Sequence, residues 1–289
     1  MSTLTAFSEQ LANAVARASQ ATVSVHARPK LPSTGVHWKD GVVVTTEATV
    51  QRDNDITLTL PDGKRVPATL VGRDPGSDLA ALRIDQGLLP VAERGDPAAL
   101  RAGHLVLALA RLGDGGPRAA FGAVSATGGR WRSWKGGELA LRLQSDVRLY
   151  PGFGGGPLVD AEGLVLGINS GGLSGPLATT IPANTVDRIL EQLLTRGSVA
   201  RGWLGAAMQP VRGGVVLLSI EPEAPAALAG LLVGDVVIGI DGRAVDSLEP
   251  LLTFLAGDVA GKNVTLDLLR GGVRTKVDVL IGERPRRTR

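Results

Sequence analysis

A mainly β fold in two units, a strand-rich barrel or sandwich followed by a smaller α+β module, is what this 289-residue sequence predicts. Three observations carry that reading. Short apolar runs recur at spacings of about ten residues, with turns rich in the chain's 39 glycines between them. One helical stretch, "NTVDRILEQLLTRG" at 184–197, breaks that rhythm. Beyond it, strands and helices alternate over about 85 residues.

Taken in order, Leu4, Phe7, Leu11 and Val15 lie at helical spacing behind Ser2 and Thr3, which predicts a capped N-terminal helix over 5–18. "ATVSVHAR" (21–28) alternates as a strand, and "GVVVTT" (41–46) follows the turn "KDG". "DITLTLPDGKRVPATLVG" (55–72) reads as a hairpin turning at Pro61-Asp62-Gly63. "LAALRI", "LVLALA", "AFGAVSA", "ALRLQSDV" and "PLVDAEGLVLGINS" continue the pattern. In 184–197, Val186, Ile189, Leu190, Leu193 and Leu194 form one helical face, and Gly197 stops it. The second unit holds strands "RGWLGAAM", "GVVLLSI", "DVVIGI", "VTLDLLR" and "RTKVDVLI", the last two joined at Gly271-Gly272. It also holds the helices "PAALAG" and "DSLEPLLTFLAG", the latter with Asp246 and Glu249 as a capping box.

Composition narrows the chemistry. There is no cysteine, which excludes disulfides and thiolate metal sites, and with three histidines (His26, His37, His104) neither a metal centre nor any other cofactor is expected. Arg outnumbers Lys, but the net charge is only +3, which argues a solvated basic surface rather than a nucleic-acid site. The first residues lack the basic and apolar regions of a secretory leader, and no segment is long enough to span a membrane. The expectation is a cytoplasmic protein for the sequence as given, or a periplasmic one if a leader preceded it.

Several motifs in order resemble the HtrA/Deg family, trypsin-like serine proteases with a C-terminal PDZ domain. "DPGSDLAALRI" (74–84) is similar to a family block centred on its acid. "QSDVRLYPGFGGGPLVDAEGLVLGINS" (144–170) resembles the loop that presents the nucleophile, and "TIPANTVDRIL" the stretch after it. "RGWLG" with "SIEPEAPAALAGLLVGDVVIGIDGRAV" is similar to the PDZ signature. The resemblance implies two six-stranded antiparallel β-barrels and an α+β PDZ domain. It divides the chain into an N-terminal helical segment (1–20), a double barrel (21–185), a linker helix (186–200), the PDZ domain (201–285) and a basic tail (286–289).

The resemblance also assigns the catalytic positions, and there the residues depart from the pattern. Acyl transfer needs a nucleophile, a base and an acid that orients the base. Asp78 matches the acid, but Ala48 stands where the base belongs and Gly154 where the nucleophile belongs. Gly152 and Gly154 would supply the N–H groups of an oxyanion hole, with Phe153 between them. His26, His37 and His104 as relocated bases, and Ser170 and Ser174 as relocated nucleophiles, are weaker candidates. Asp78 without an imidazole needs other donors, expected from Thr45, Thr46, Thr49 or backbone N–H groups.

The second implied site is peptide capture at a sheet edge. Trp203, Leu204, Gly205 and Ala206 fit the x-Φ-G-Φ loop that holds a terminal carboxylate. Met208 extends that strand, and Leu248, Leu251, Leu252 and Leu255 supply the facing helix. Arg201 and Arg212 could draw the carboxylate in. Phe7, Trp131 and Trp134 are candidate contacts for a homotrimer or a mixed oligomer with an active paralogue. The expected function is a non-enzymatic peptide- or unfolded-protein-binding protein that takes C-terminal or extended peptides in its PDZ groove, regulating an active paralogue or acting as a chaperone. The alternatives are a serine endopeptidase with an unorthodox site and a structural scaffold.

Overall fold

The structure, a computed structural model, describes residues 2–133, 135–173, 179–199, 202–256 and 259–283. It forms two compact units, Met1–Val199 and Ala200–Arg287. Trp134, Ser174, Arg201 and the 286–289 tail lie outside the described residues.

Unit 1 opens with helix α1 (Thr3–Ser19), where Ser2 Oγ accepts the Thr5 N–H at 3.2 Å. Ala14 and Ala18 are buried, whereas Leu4 and Phe7 are exposed. The buried Arg111 ties the helix end down by donating to the carbonyls of Ser19 (3.4 Å), Thr22 (2.9 Å) and Gly115 (3.1 Å). The first barrel comprises β1 (Thr22–His26), β2 (Ser33–Lys39), β3 (Val42–Thr45), β4 (Ile56–Thr59), β5 (Arg65–Asp74) and β6 (Leu79–Arg83), closed in the order β1-β2-β3-β6-β5-β4. Next come β7 (Leu105–Ala110), β8 (Arg118–Gly128), β9 (Trp131–Arg132), β10 (Glu138–Leu139), β11 (Arg142–Ser145), β12 (Pro157–Val159), β13 (Val165–Ser170) and β14 (Thr179–Pro182). The second barrel closes as β11-β14-β13-β12-β7-β8, and every strand pair in both barrels is antiparallel.

Why these strands read as unbroken apolar runs follows from their place. In β3, Val43 faces the interior of the first barrel while Val42 and Val44 face a core shared with the helices. β6 repeats the division, with Ala80 and Leu82 on one side and Leu79 and Ala81 on the other. In β7, Val106, Ala108 and Ala110 fill the second barrel while Leu107 and Leu109 join the shared core. A strand covered on both faces has no polar side to show. Helix α2 (Ala183–Arg196) adds Val186, Ile189, Leu190 and Leu193 to the shared core and ends at Gly197 in left-handed backbone (φ 70).

One loop differs from expectation. "GGRWRSWKGGEL" reads as a polar excursion, but β9 pairs with β10. Trp131 is half-buried against the shared core, donates to Leu141 O at 3.2 Å and lies under the Arg142 guanidinium. It is packed within its own unit rather than displayed on a loop.

Unit 2 contains β15 (Gly202–Trp203), β16 (Ala206–Val211), β17 (Gly214–Ile220), α3 (Pro225–Leu228), β18 (Val236–Ile240), β19 (Arg243–Ala244), α4 (Leu248–Leu255), β20 (Asn263–Arg270), β21 (Val273–Leu280) and β22 (Gly282–Glu283). Its sheet runs β16-β17-β18-β20-β21, with β19 beside β18 and a separate β15–β22 pair. Gly271 and Gly272 both take positive φ in the tight β20–β21 turn. The Arg270 guanidinium holds both oxygens of the buried Asp235 at 2.8 and 2.7 Å. The expected capping box on α4 is not formed. Ser247 is the N-cap and makes no side-chain cap bond, because Asp246 instead accepts from the Ser247 hydroxyl at 3.1 Å.

Candidate functional site

The loop 150–157 owes its shape to backbone bonds from three neighbours. Phe153 N–H reaches Tyr150 O and Gly156 N–H reaches Phe153 O, both at 3.0 Å. Asn169 of β13 accepts from Gly155 N–H at 2.9 Å, donates its own N–H to Gly156 O at 2.8 Å, and sends its amide to Pro157 O at 2.9 Å. Thr34 of β2 donates its hydroxyl to Gly152 O at 2.8 Å and its N–H to Gly154 O at 3.3 Å.

The three successive glycines are not equivalent. A Cβ on Gly155 would collide with Thr34 O and Thr45 Oγ1, and one on Gly156 with Leu109 O. Gly155 also sits at φ 85. A Cβ on Gly154 would instead make ordinary contacts, 3.5 Å from Thr46 Oγ1 and 3.7 Å from Thr49 Cγ2. Position 154 is therefore sterically open to a side chain, and it lies beside the turn that carries Ala48. That turn is a short 3-10 helix, Glu47–Thr49, with the Ala48 side exposed.

Asp78 joins the same neighbourhood. Asp74 builds the turn before it by accepting from Gly76 N–H, Ser77 N–H and Ser77 Oγ. Asp78 then adopts left-handed backbone (φ 56) and is buried. Its Oδ1 accepts the Ala48 N–H at 2.9 Å and its Oδ2 the Ser170 hydroxyl at 2.5 Å. Burial pushes its pKa up, partly offset by these two bonds and by Lys135. A backbone donor does replace the imidazole, as the sequence argues. The threonines do not contribute: Thr45 donates to Thr34 O, while Thr46 and Thr49 bond to each other at 3.0 Å. Sequence reasoning missed Ser170 as the second donor, because 92 residues separate it from Asp78 and no local motif pairs them.

Two of the three histidines, His37 and His26, are occupied elsewhere. His37 is buried, with Nδ1 donating to Pro90 O at 2.9 Å and Nε2 accepting from Gly41 N–H at 3.1 Å. His26 Nε2 pairs with Thr59 Oγ1 at 2.8 Å, and burial together with Arg65 and Arg52 lowers its pKa. Phe153, between the two glycines assigned to the oxyanion hole, is buried in the core of the second barrel. Gly152 is covered by the Leu112 side chain.

In unit 2 the candidate carboxylate loop turns at Gly205, in left-handed backbone (φ 72). A Cβ there would collide with the Ala224 methyl and press on the Trp203 ring at 3.0 Å. Leu204 O accepts from Ala226 N–H and Gly205 O from Glu221 N–H, each at 2.8 Å, which pins the loop to the segment after β17. β16 is the sheet edge, and α4 packs against it. Ala206, Met208, Leu248 and Leu252 are half-buried. Leu204, Leu251 and Leu255 belong to the buried core of the unit, so of the four helix leucines two hold the helix and two are accessible. Arg212 sits in the turn between β16 and β17, at the far end of the strand from Gly205.

These two units define a class: a trypsin-like domain followed by a PDZ domain. The family models agree, with a trypsin-like peptidase domain matching residues 33–168 and a PDZ domain matching 202–281. The chain is 34% identical over 276 residues to a probable periplasmic serine endoprotease DegP-like protein of Halomonas elongata, covering 89% of this chain and 57% of that one. A protein of the same description from Pseudomonas fluorescens is 33% identical over 264 residues, covering 85% of this chain and 55% of that one. The chain thus spans about half the length of these relatives. Among solved structures, the HtrA-type protease AlgW with a decapeptide superposes with a TM-score of 0.77 at 27% identity, covering 96% of this chain and 99% of that one. The serine endoprotease from Yersinia pestis gives 0.77 at 27%, covering 95% and 98%.

The chain belongs to the HtrA/DegP family of trypsin-like proteases with PDZ domains. Two expectations are corrected by these likenesses. The reading of the chain as no enzyme is overturned, since the relatives matching most of it are named serine endoproteases and kinship supports a protease. The cytoplasmic reading finds no support, since those relatives are named periplasmic. Among the described residues no helix is long and apolar enough to cross a membrane.

Proposed function

We propose that this is an HtrA-type chain whose unit 2 captures the C-terminal segments of unfolded or partly folded polypeptides. The observation that carries the reading is the Gly205 loop opening onto the edge strand β16, with half-buried Ala206 and Met208 on the strand and Leu248 and Leu252 on the helix packed against it. An extended peptide adds to such an edge through its backbone, and its terminal side chain enters the apolar strip. The carboxylate would meet the N–H groups of Leu204, Gly205 and Ala206. Fluorescence anisotropy with a labelled apolar hexapeptide tests this. Amidating its C-terminus should weaken binding at least tenfold; equal binding of the acid and the amide would refute the reading.

Kinship supports serine endopeptidase activity as the second reading, with peptide capture serving substrate delivery. The side chains at 48 and 154 carry no base and no nucleophile, so the chemistry would fall to other groups. Ser170 carries a hydroxyl hydrogen-bonded to Asp78, and Thr46 and Thr49 lie beside position 154. Digestion of unfolded casein combined with fluorophosphonate labelling tests it. Labelling mapped to one of these three residues supports the reading, and unmodified protein with intact casein refutes it. Action in the periplasm, and assembly of several copies through the exposed Leu4 and Phe7 of α1, extend the proposal from the family.

A further inference from the structure

Beside the 150–157 loop, unit 1 holds a cavity of about 480 Å³ that neither reading above uses. Its walls are apolar and come from three places. Leu31 belongs to the β1–β2 connection, Leu112 and Ala119 flank the β7–β8 turn, and Pro151 and Phe153 come from the loop itself. Leu112 is held in place by packing on Gly152, where a Cβ would displace it. Phe153 is buried and its ring leans on Tyr150, with centroids 5.8 Å apart at 58°. The inner wall is therefore fixed, and Tyr150 forms an accessible aromatic rim.

The rim is cationic. Arg118 lines the cavity, and the Arg148 guanidinium stacks over Tyr150 at 5.2 Å. Both arginines are exposed, and neither takes part in an ion pair among the described residues. An apolar hollow of this size lies within the range of specific ligand sites, and two guanidiniums beside it that have no carboxylate partner among the described residues select a carboxylate.

We propose that this cavity binds an extended acidic peptide, taking one bulky apolar side chain between Leu112, Ala119 and Phe153. Arg118 and Arg148 hold an aspartate or glutamate next to that side chain. Complementary charge gives the orientation, and water leaving the apolar walls supplies the driving force. The site is independent of the Gly205 loop, because it requires no free C-terminus.

The test uses the whole chain and a fluorescein-labelled peptide with a central Asp-Phe-Asp, acetylated and amidated so that it offers no terminal carboxylate. Saturable anisotropy is expected. It should weaken at least tenfold in Arg118→Glu, in Ala119→Trp, which fills the hollow, and when glycine replaces the peptide's phenylalanine. Both substituted residues are exposed, so circular dichroism should match the parent. Binding of an apolar peptide with a free carboxylate should not change in either variant. The proposal is overturned by absence of saturation up to millimolar protein, by unchanged affinity in Ala119→Trp, or by equal binding of the glycine peptide.

Discussion

Gly154 in the barrel loop and Gly205 in the PDZ loop stand at the chain's two candidate sites, yet they are glycine for different physical reasons. At 205 the backbone is left-handed and the space for a Cβ is already taken by Ala224, so geometry requires the residue. At 154 the backbone makes no such demand, and a Cβ would find ordinary contacts. Glycine at 205 is a condition of the fold. Glycine at 154 is not a steric requirement, although in the same loop Gly152 and Gly155 combine positive φ with a collision as Gly205 does, and Gly156 has the collision alone.

The sharpest way to break this comparison is to put side chains where only one of the two sites has room. Ala48→His with Gly154→Ser should raise hydrolysis of unfolded casein by at least about a thousandfold over the parent. Triad members acting together are worth on the order of 10⁴ to 10⁶ in turnover; a Cβ at 154 makes ordinary contacts, and Ala48 is exposed. Phe153 is best left alone, because an asparagine there would enter the core of the second barrel. Rates unchanged from the parent would show that the open space at 154 is not aligned with Asp78.

Gly205→Ala should weaken binding of free C-terminal peptides tenfold or more and lower the unfolding midpoint of unit 2. The left-handed backbone contributes about 1 kcal/mol and the collision about 1–3 kcal/mol. Gly154→Ala, measured by the same denaturant titration, should stay within about 0.5 kcal/mol of the parent. Gly155→Ala then sharpens the contrast inside the barrel loop, with an expected loss of about 2–4 kcal/mol from its φ of 85 and its backbone collision.

The smallest expected effect concerns Asp78. Burial raises its pKa in the folded state, so the stability associated with its neutral form is present at acid pH and is lost as pH rises through the raised value. Asp78→Asn keeps an acceptor for Ala48 N–H and can donate to Ser170, and it should flatten that part of the stability–pH curve. Urea titrations across the acid-to-neutral range would read it. A curve parallel to the parent's would mean that Asp78 is not the titrating group.

Much of this site is legible along the chain. Positions 150–157 lie in one motif, and 74–78 in another with its own Asp-Pro-Gly turn. Trp203 to Ala206 announce a glycine turn beside a strand. What the chain does not announce are the partners reached across the barrels. Thr34 holds two carbonyls of the 150–157 loop from β2, Ser170 supplies the second hydrogen bond to Asp78, and Leu112 covers Gly152. Each sits in an ordinary strand or turn context that carries no mark of its role. The same limit explains Trp131, whose polar neighbours suggest a loop while its ring is covered by a core assembled from remote strands.

By itself the sequence determined the two-unit β-rich architecture, because strand period, helical period and glycine turns are local properties of a chain. It also determined that positions 48 and 154 bear no reactive group. Tertiary structure alone decided that Gly154 has room and Gly205 has none, which hydroxyl satisfies Asp78, and which helix leucines are core. Those are questions of what occupies the space beside a residue, and that space is filled by segments dozens of residues away.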